Sequence, residues 1–151
     1  VLLKGLHMLA LDAKGRLSIP ARYRTELEEQ SQGRLVITVQ RHGKSLLIYP
    51  EPDFQEAARE VQKLSDFEPS EQRFKYLFIG HAMDMDIDGS GRVLVPPVLR
   101  ALVGIEKKVA LVGMTNKFEL WDEDAWLEQQ RSLYITDGGE GISERLRSLS
   151  I

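Results

Sequence analysis

The chain has 151 residues, 42% hydrophobic and 28% charged, a balance that fits a soluble globular protein of one domain or two very small ones. No apolar run approaches the roughly 20 residues that span a bilayer, and the opening stretch VLLKGLHMLALD, broken by Lys4 and His7, lacks a signal-peptide cleavage pattern. With no cysteine at all, disulfides and thiolate chemistry are excluded, and a cytoplasmic location is expected. Net charge is −3 but unevenly spread: residues 1–50 hold eight Lys or Arg against four Asp or Glu, a balance of +4, and the remainder carries −7. Such asymmetry points to a charged partner.

In chain order, a short strand HMLAL (7–11) leads into LDAKGRLSIPARYR (11–24). A turn is expected at Ala13–Gly15, then a strand with Leu17 and Ile19 on one face, then a helix with Pro20 in its first turn. EEQSQG (28–33) ends that helix. RLVITVQ and SLLIYP form a hairpin around His42–Gly43. Phe54, Ala57, Ala58, Val61 and Leu64 follow helical spacing until Pro69, and Phe74, Leu77 and Phe78 mark a second helix.

The strand, turn, strand, helix and hairpin signals then recur. AMDMDI (82–87) alternates Met83, Met85 and Ile87 with Asp84, Asp86 and Asp88. A turn at Gly89–Gly91 precedes Val93 and Val95, Pro96 opens a helix, and VGIEKK (103–108) ends it. KVALVGM and FELWD pair around Asn116–Lys117. DEDAWLEQQRSLY (122–134) reads as a helix, TDGGEG (136–141) as a flexible break, and ISERLRSLSI as a short amphipathic tail with Ile142, Leu146 and Leu149 on one side, which docks on a neighbour or frays.

The recurrence has a fixed offset. Setting Arg16 on Arg92, 76 positions apart, pairs Asp12 with Asp88, Gly15 with Gly91, Ile19 with Val95, Pro20 with Pro96 and Arg24 with Arg100. After slips of two residues and two more, Tyr49 falls on Trp121 and Phe54 on Trp126. The chain is a tandem duplication of copies about 50 residues long, each too small to bury a comfortable core alone. Pairing of strands between copies around a shared, barrel-like core is therefore expected.

Catalytic residues are not evident. His7, His42 and His81 lack partners at metal-ligand spacing, and no nucleophile elbow or Walker loop is present. DMDIDG (84–89) matches the opening of a calcium-binding loop, but Val95 occupies the twelfth position, where a bidentate Glu is needed, and the alternation favours a strand. The Asp-x-x-Gly-Arg turns remain. Asp12 with Arg16, and Asp88 with Arg92, can pair across the turn while the Asp caps backbone N–H groups. For Asp88, Gly91 and Arg92 this structural role is the preferred reading. Copy one differs: Lys14, Arg16, Arg22 and Arg24 face Ser90, Arg92, Val98 and Arg100 in copy two. Four cations within eleven residues suit phosphate contact, and arginine can fork onto guanine O6 and N7. Asp12 would orient Arg16, and Gly15 would shape the turn.

DAKGRLSIPARYR, DGSGRVLVPPVLR, LLIYPEPDF, GHAMDMDIDGSGR, NKFELWDEDAW and the closing ISERLRSLS resemble the MraZ family, the bacterial regulators at the head of the division and cell-wall gene cluster. Only Val1–Leu3 looks unlike the family's usual start. The resemblance implies an α+β fold of two tandem AbrB-like, swapped-hairpin halves forming a double-psi-like barrel with flanking helices. It divides the chain into residues 5–52, a helical connector 53–80, residues 81–124 and a C-terminal helix and tail 125–151. It further implies a ring homo-oligomer, associated with the nucleoid, that binds double-stranded DNA at direct repeats upstream of its own operon and represses it. No enzyme activity, cofactor, metal, membrane or small-molecule substrate is expected. The alternative is a scaffolding ring that binds a protein partner and touches DNA incidentally.

Overall fold

Both copies fold into the same run of elements, and the reason is local. The computed structural model, which describes residues 2–135 and 141–151, forms β1 (Leu3–Ala10), β2 (Arg16–Ser18), α1 (Ala21–Ser31), β3 (Arg34–Val39) and β4 (Leu46–Pro50) from copy one. The connector forms α2 (Glu51–Gln62) and α3 (Pro69–Phe78). Copy two repeats the order as β5 (Met83–Asp86), β6 (Arg92–Leu94), α4 (Pro97–Val103), β7 (Lys108–Thr115) and β8 (Phe118–Asp122), followed by α5 (Glu123–Gln130) and the single turn α6 (Glu144–Arg147). The result is a mixed α+β architecture with antiparallel pairing throughout.

Three boundaries differ from the sequence expectation. β1 starts at Leu3 rather than His7, because β7 offers a continuous partner from Thr115 to Lys108. Pro20 and Pro96 sit just ahead of their helices, not inside them, at φ −54° and −58°. Their rings set the entry angle, and the helix loses no N–H donor to them. α5 stops at Gln130, short of Tyr134. Within the expected break TDGGEG, residues 136–140 lie outside the described residues.

Strand pairing is exchanged between copies. A six-stranded sheet runs β1-β7-β8-β4-β3-β5, and β2 pairs with β6 as a separate ribbon. The first strand of each copy pairs with the third-strand equivalent of the other: β1 with β7, β5 with β3. The second strands pair with each other, as do the fourth. In the ribbon Leu17 faces its own equivalent Val93; between β4 and β8, Leu47 faces its equivalent Glu119. A local two-fold axis therefore passes through both pairs.

The main core gathers on one side of the sheet, with Leu17, Ile19, Val93 and Val95 from the ribbon packed among Leu35, Ile37, Leu46, Ile48, Leu111, Phe118 and Leu120. Two satellite clusters cover the other face. Tyr49, Phe54, Val61 and Phe78 pack α2 and α3 against β4, and Trp121 and Trp126 pack α5 against β8. The aromatic pairs aligned by the repeat make matching edge contacts, Tyr49 to Phe54 at 5.9 Å and Trp121 to Trp126 at 5.7 Å between centroids. Thr38, fully buried in β3, donates its hydroxyl to the Phe78 carbonyl at 2.6 Å and so ties the end of α3 to the sheet.

Candidate nucleic-acid interface

The duplicated turns are held by the same bonds. Asp12 Oδ1 accepts from the Lys14 and Arg16 amides, both at 2.9 Å. Asp88 Oδ1 accepts from the Ser90 and Arg92 amides at 2.8 and 2.9 Å. The Gly15 and Gly91 amides donate to the carbonyls of Asp12 and Asp88 at 2.9 and 3.0 Å. Both glycines lie at positive φ, +81° and +78°, so the loop needs a residue without Cβ there.

The guanidinium groups treat the two carboxylates differently. Arg16 Nε donates to Asp12 Oδ2 at 2.7 Å. Asp12 also lies 3.7 Å from Arg92 Nη1, so it faces one cation from each copy. Arg92 Nε stands 3.5 Å from Asp88 Oδ2 and, though covered, has no hydrogen-bond acceptor among the described residues. The Arg16 amide holds the Asp12 carboxyl well down, at about 2, against the opposing effect of partial burial; the Arg16 guanidinium and Lys14 amide add to the lowering. Asp88 is lowered too, first through the Arg92 amide.

These side chains emerge on the outer face of the ribbon, because Leu17 and Val93 take the inner face and strand alternation sends Arg16, Ser18, Arg92 and Leu94 outward. Lys14 is exposed at the turn. Arg22 is exposed on the first turn of α1, with its guanidinium carbon 4.7 Å from the Tyr23 ring centroid. Arg24 is tied to the backbone. Its Nε donates to the Ile19 carbonyl at 2.7 Å, and its guanidinium covers Gly91 of the other copy. Arg100, which sequence reading aligned with Arg24 but gave no role, does the reciprocal thing: Nε donates to the Val95 carbonyl at 3.2 Å and the group covers Gly15.

Residues 12–24 and 88–100 together carry six cations (Lys14, Arg16, Arg22, Arg24, Arg92, Arg100) and two carboxylates (Asp12, Asp88), a balance of +4 in a chain of net −3. The ribbon, its loops and the first helical turns thus form a positive patch. Across the two-fold its halves are unequal. Ser18, Arg22 and Glu26 of copy one correspond to Leu94, Val98 and Leu102, which are 54%, 67% and 51% exposed.

The histidines lie elsewhere. His7 Nε2 is 3.3 Å from the Tyr23 hydroxyl. His81 Nδ1 meets the Tyr76 carbonyl at the end of α3 at 3.0 Å. His42 accepts from the Lys44 amide and stacks near Trp121, where burial pushes its imidazole below the ordinary value. Asp84 and Asp86 belong to β5, whereas Asp88 is committed to its turn. Among the described residues no group of three or more His, Cys, Asp or Glu is placed to hold a metal ion.

Comparison with known proteins agrees with this duplicated layout. The family model described as "MraZ protein, putative antitoxin-like" matches residues 2–77 and again residues 78–139. The "Transcriptional regulator MraZ" of Yersinia pestis (strain Pestoides F) and that of Yersinia pseudotuberculosis serotype O:1b (strain IP 31758) are each 43% identical over 150 residues, spanning 98% of this chain and 99% of theirs. Two consecutive matches across nearly the whole length, with that identity, show that the chain belongs to the MraZ family.

Proposed function

We propose that this chain is a DNA-binding transcriptional regulator whose reading element is the outer face of the β2–β6 ribbon with its two loops. One observation carries the reading: on the outer face of the ribbon and its loops Lys14, Arg16, Arg22 and Arg92 outnumber Asp12 and Asp88, in an otherwise acidic chain. Lys14 and Arg22 reach phosphates, and Arg16, aimed by Asp12, reaches base edges. Asp88, Gly91 and Arg92 shape the second turn, and Arg24 adds its charge beside Gly91.

A single small patch binds weakly. Several patches on a ring of identical subunits engage direct repeats upstream of the operon, and linkage supplies the affinity. In this reading the protein represses the division and cell-wall cluster from the cytoplasm, on the nucleoid. The exchanged strand pairing supports two AbrB-like swapped-hairpin halves, residues 5–52 and 81–124, closed into a double-psi-like barrel, with connector 53–80 and tail 125–151 attached. A second reading, a ring that scaffolds a protein partner, is favoured by the exposed apolar row Leu94, Val98 and Leu102.

Footprinting on the upstream duplex with a salt titration separates the two. The regulator protects the repeats, and log affinity falls as log salt rises, by about 0.9 per phosphate contact. Arg16→Ala removes protection while the melting temperature stays near wild type. Full protection by Arg16→Ala, or equal affinity for random duplex, overturns the assignment.

A further inference from the structure

We propose that Arg24 and Arg100 are crossed positioning residues, each fixing the reading loop of the opposite copy. The proposal rests on the DNA-binding reading of the ribbon and adds to it a device that sets the loops' geometry.

Four bonds make the device. The Ile19 amide donates to the Gly91 carbonyl at 2.9 Å, and the Val95 amide donates to the Gly15 carbonyl at 3.0 Å. Each of these joins the strand end of one copy to the loop of the other. The carbonyls of the same two residues, Ile19 and Val95, accept from Arg24 Nε and Arg100 Nε. Each arginine therefore grips the residue that holds the far loop, and its guanidinium lies against that loop's glycine. The fit is close: a methyl group built on Gly15 would come within 2.7 Å of Arg100 Nη2, and one on Gly91 would overlap Arg24 Nε. Backbone conformation requires glycine at these positions, and any side chain there would displace the guanidinium that covers it.

The chemistry demands arginine. Lysine keeps the charge but has no Nε–H to bond the carbonyl and no planar face to cover the glycine. Both arginines are half-buried, as Arg16 is, but their Nε–H groups bond backbone carbonyls rather than a carboxylate. Tied to the backbone in this way, they support Arg16 and Lys14 rather than contacting a phosphate. The crossing also means that copy one, which carries the extra cations, takes its loop geometry from a residue 76 positions past Arg24 in the other copy.

The test compares full-length wild type with Arg100→Lys, Arg24→Lys and Lys14→Ala. Binding is read by fluorescence anisotropy on the upstream repeat duplex and on a scrambled duplex of equal length, each over a range of salt. Arg100→Lys is expected to lower the repeat-to-scrambled affinity ratio about tenfold while leaving the salt slope unchanged. Lys14→Ala is expected to reduce the slope by about one. Hydrogen exchange without DNA gives the second readout. Arg100→Lys should speed exchange in residues 12–16 and spare 88–92, and Arg24→Lys should do the reverse. A slope reduced by about one in Arg100→Lys with the ratio intact would make it a phosphate contact and overturn the proposal. So would exchange unchanged in the far loop, or loosened only in the variant's own copy. If wild type fails to prefer the repeats, the regulatory reading falls, and the exchange pattern still decides the clamp.

Discussion

At the scale of single residues, the loop chemistry is acid-sensitive in a definite direction. Asp12 is ordinarily near 3.8 and is held at about 2 in the folded chain by the Arg16 amide, with the Arg16 side chain and Lys14 amide helping. A folded value below the unfolded one means the carboxylate stabilises the fold fully above the unfolded value, and that contribution is lost as pH falls through about 2. Asp12→Asn should therefore unfold at lower urea than wild type at pH 7, and the gap should close as the pH approaches 2. A gap that stays constant from pH 7 to 2 would remove the carboxylate's charge from the account. The Asp12–Arg16 pair was legible in the sequence because both partners lie on one turn. The approach of Arg92 to Asp12, and the seat of Arg24 over Gly91 rather than on open surface, were not. Each depends on a partner 67 or 80 residues away along the chain, and no local pattern encodes which loop a long side chain will cross.

Among elements, the connector is the test case. α2 and α3 were readable from apolar spacing and from Pro69, which starts α3; α2 stops at Gln62, short of Leu64 and of the proline. Their docking was not readable, because it joins apolar side chains far apart in the chain and adds one buried hydroxyl. Thr38→Val removes the donor to the Phe78 carbonyl with little change of shape. A loss of about 1–3 kcal/mol is expected, read as a lower urea midpoint at unchanged m-value. A loss below a few tenths would mean that Phe54 and Phe78 stacking alone seats the connector. Strands were equally legible as strands, since alternation and turn residues are short-range signals. The two hairpins, β3 with β4 and β7 with β8, and pairing between the copies were legible as well; which strand crosses to which was not, since no rule of local pattern assigns β1 to β7. The exchange with β7 is decided by the core, which Leu17, Ile19, Val93 and Val95 complete only when both copies contribute.

For the molecule as a whole, exchanged pairing predicts one cooperative unfolding event. Neither copy keeps its own outer strands: β1 leans on β7 and β5 leans on β3. Both tryptophans, Trp121 and Trp126, belong to copy two and its helix, so their fluorescence reports that half, and far-UV circular dichroism reports both. The two signals should follow a single urea transition; separate midpoints would show that the halves fold independently. On the proposed DNA-binding reading, the inequality of the two halves about the local axis has a consequence for the target site. A reading head with true two-fold symmetry would accept its target in either orientation and favour palindromes. Here Lys14 and Arg22 stand opposite Ser90 and Val98, so the head has a front and a back. Flipping a single box within a tandem array should weaken occupancy of that box alone, giving the protein an arrow along the duplex that its folding pattern, by itself, does not possess.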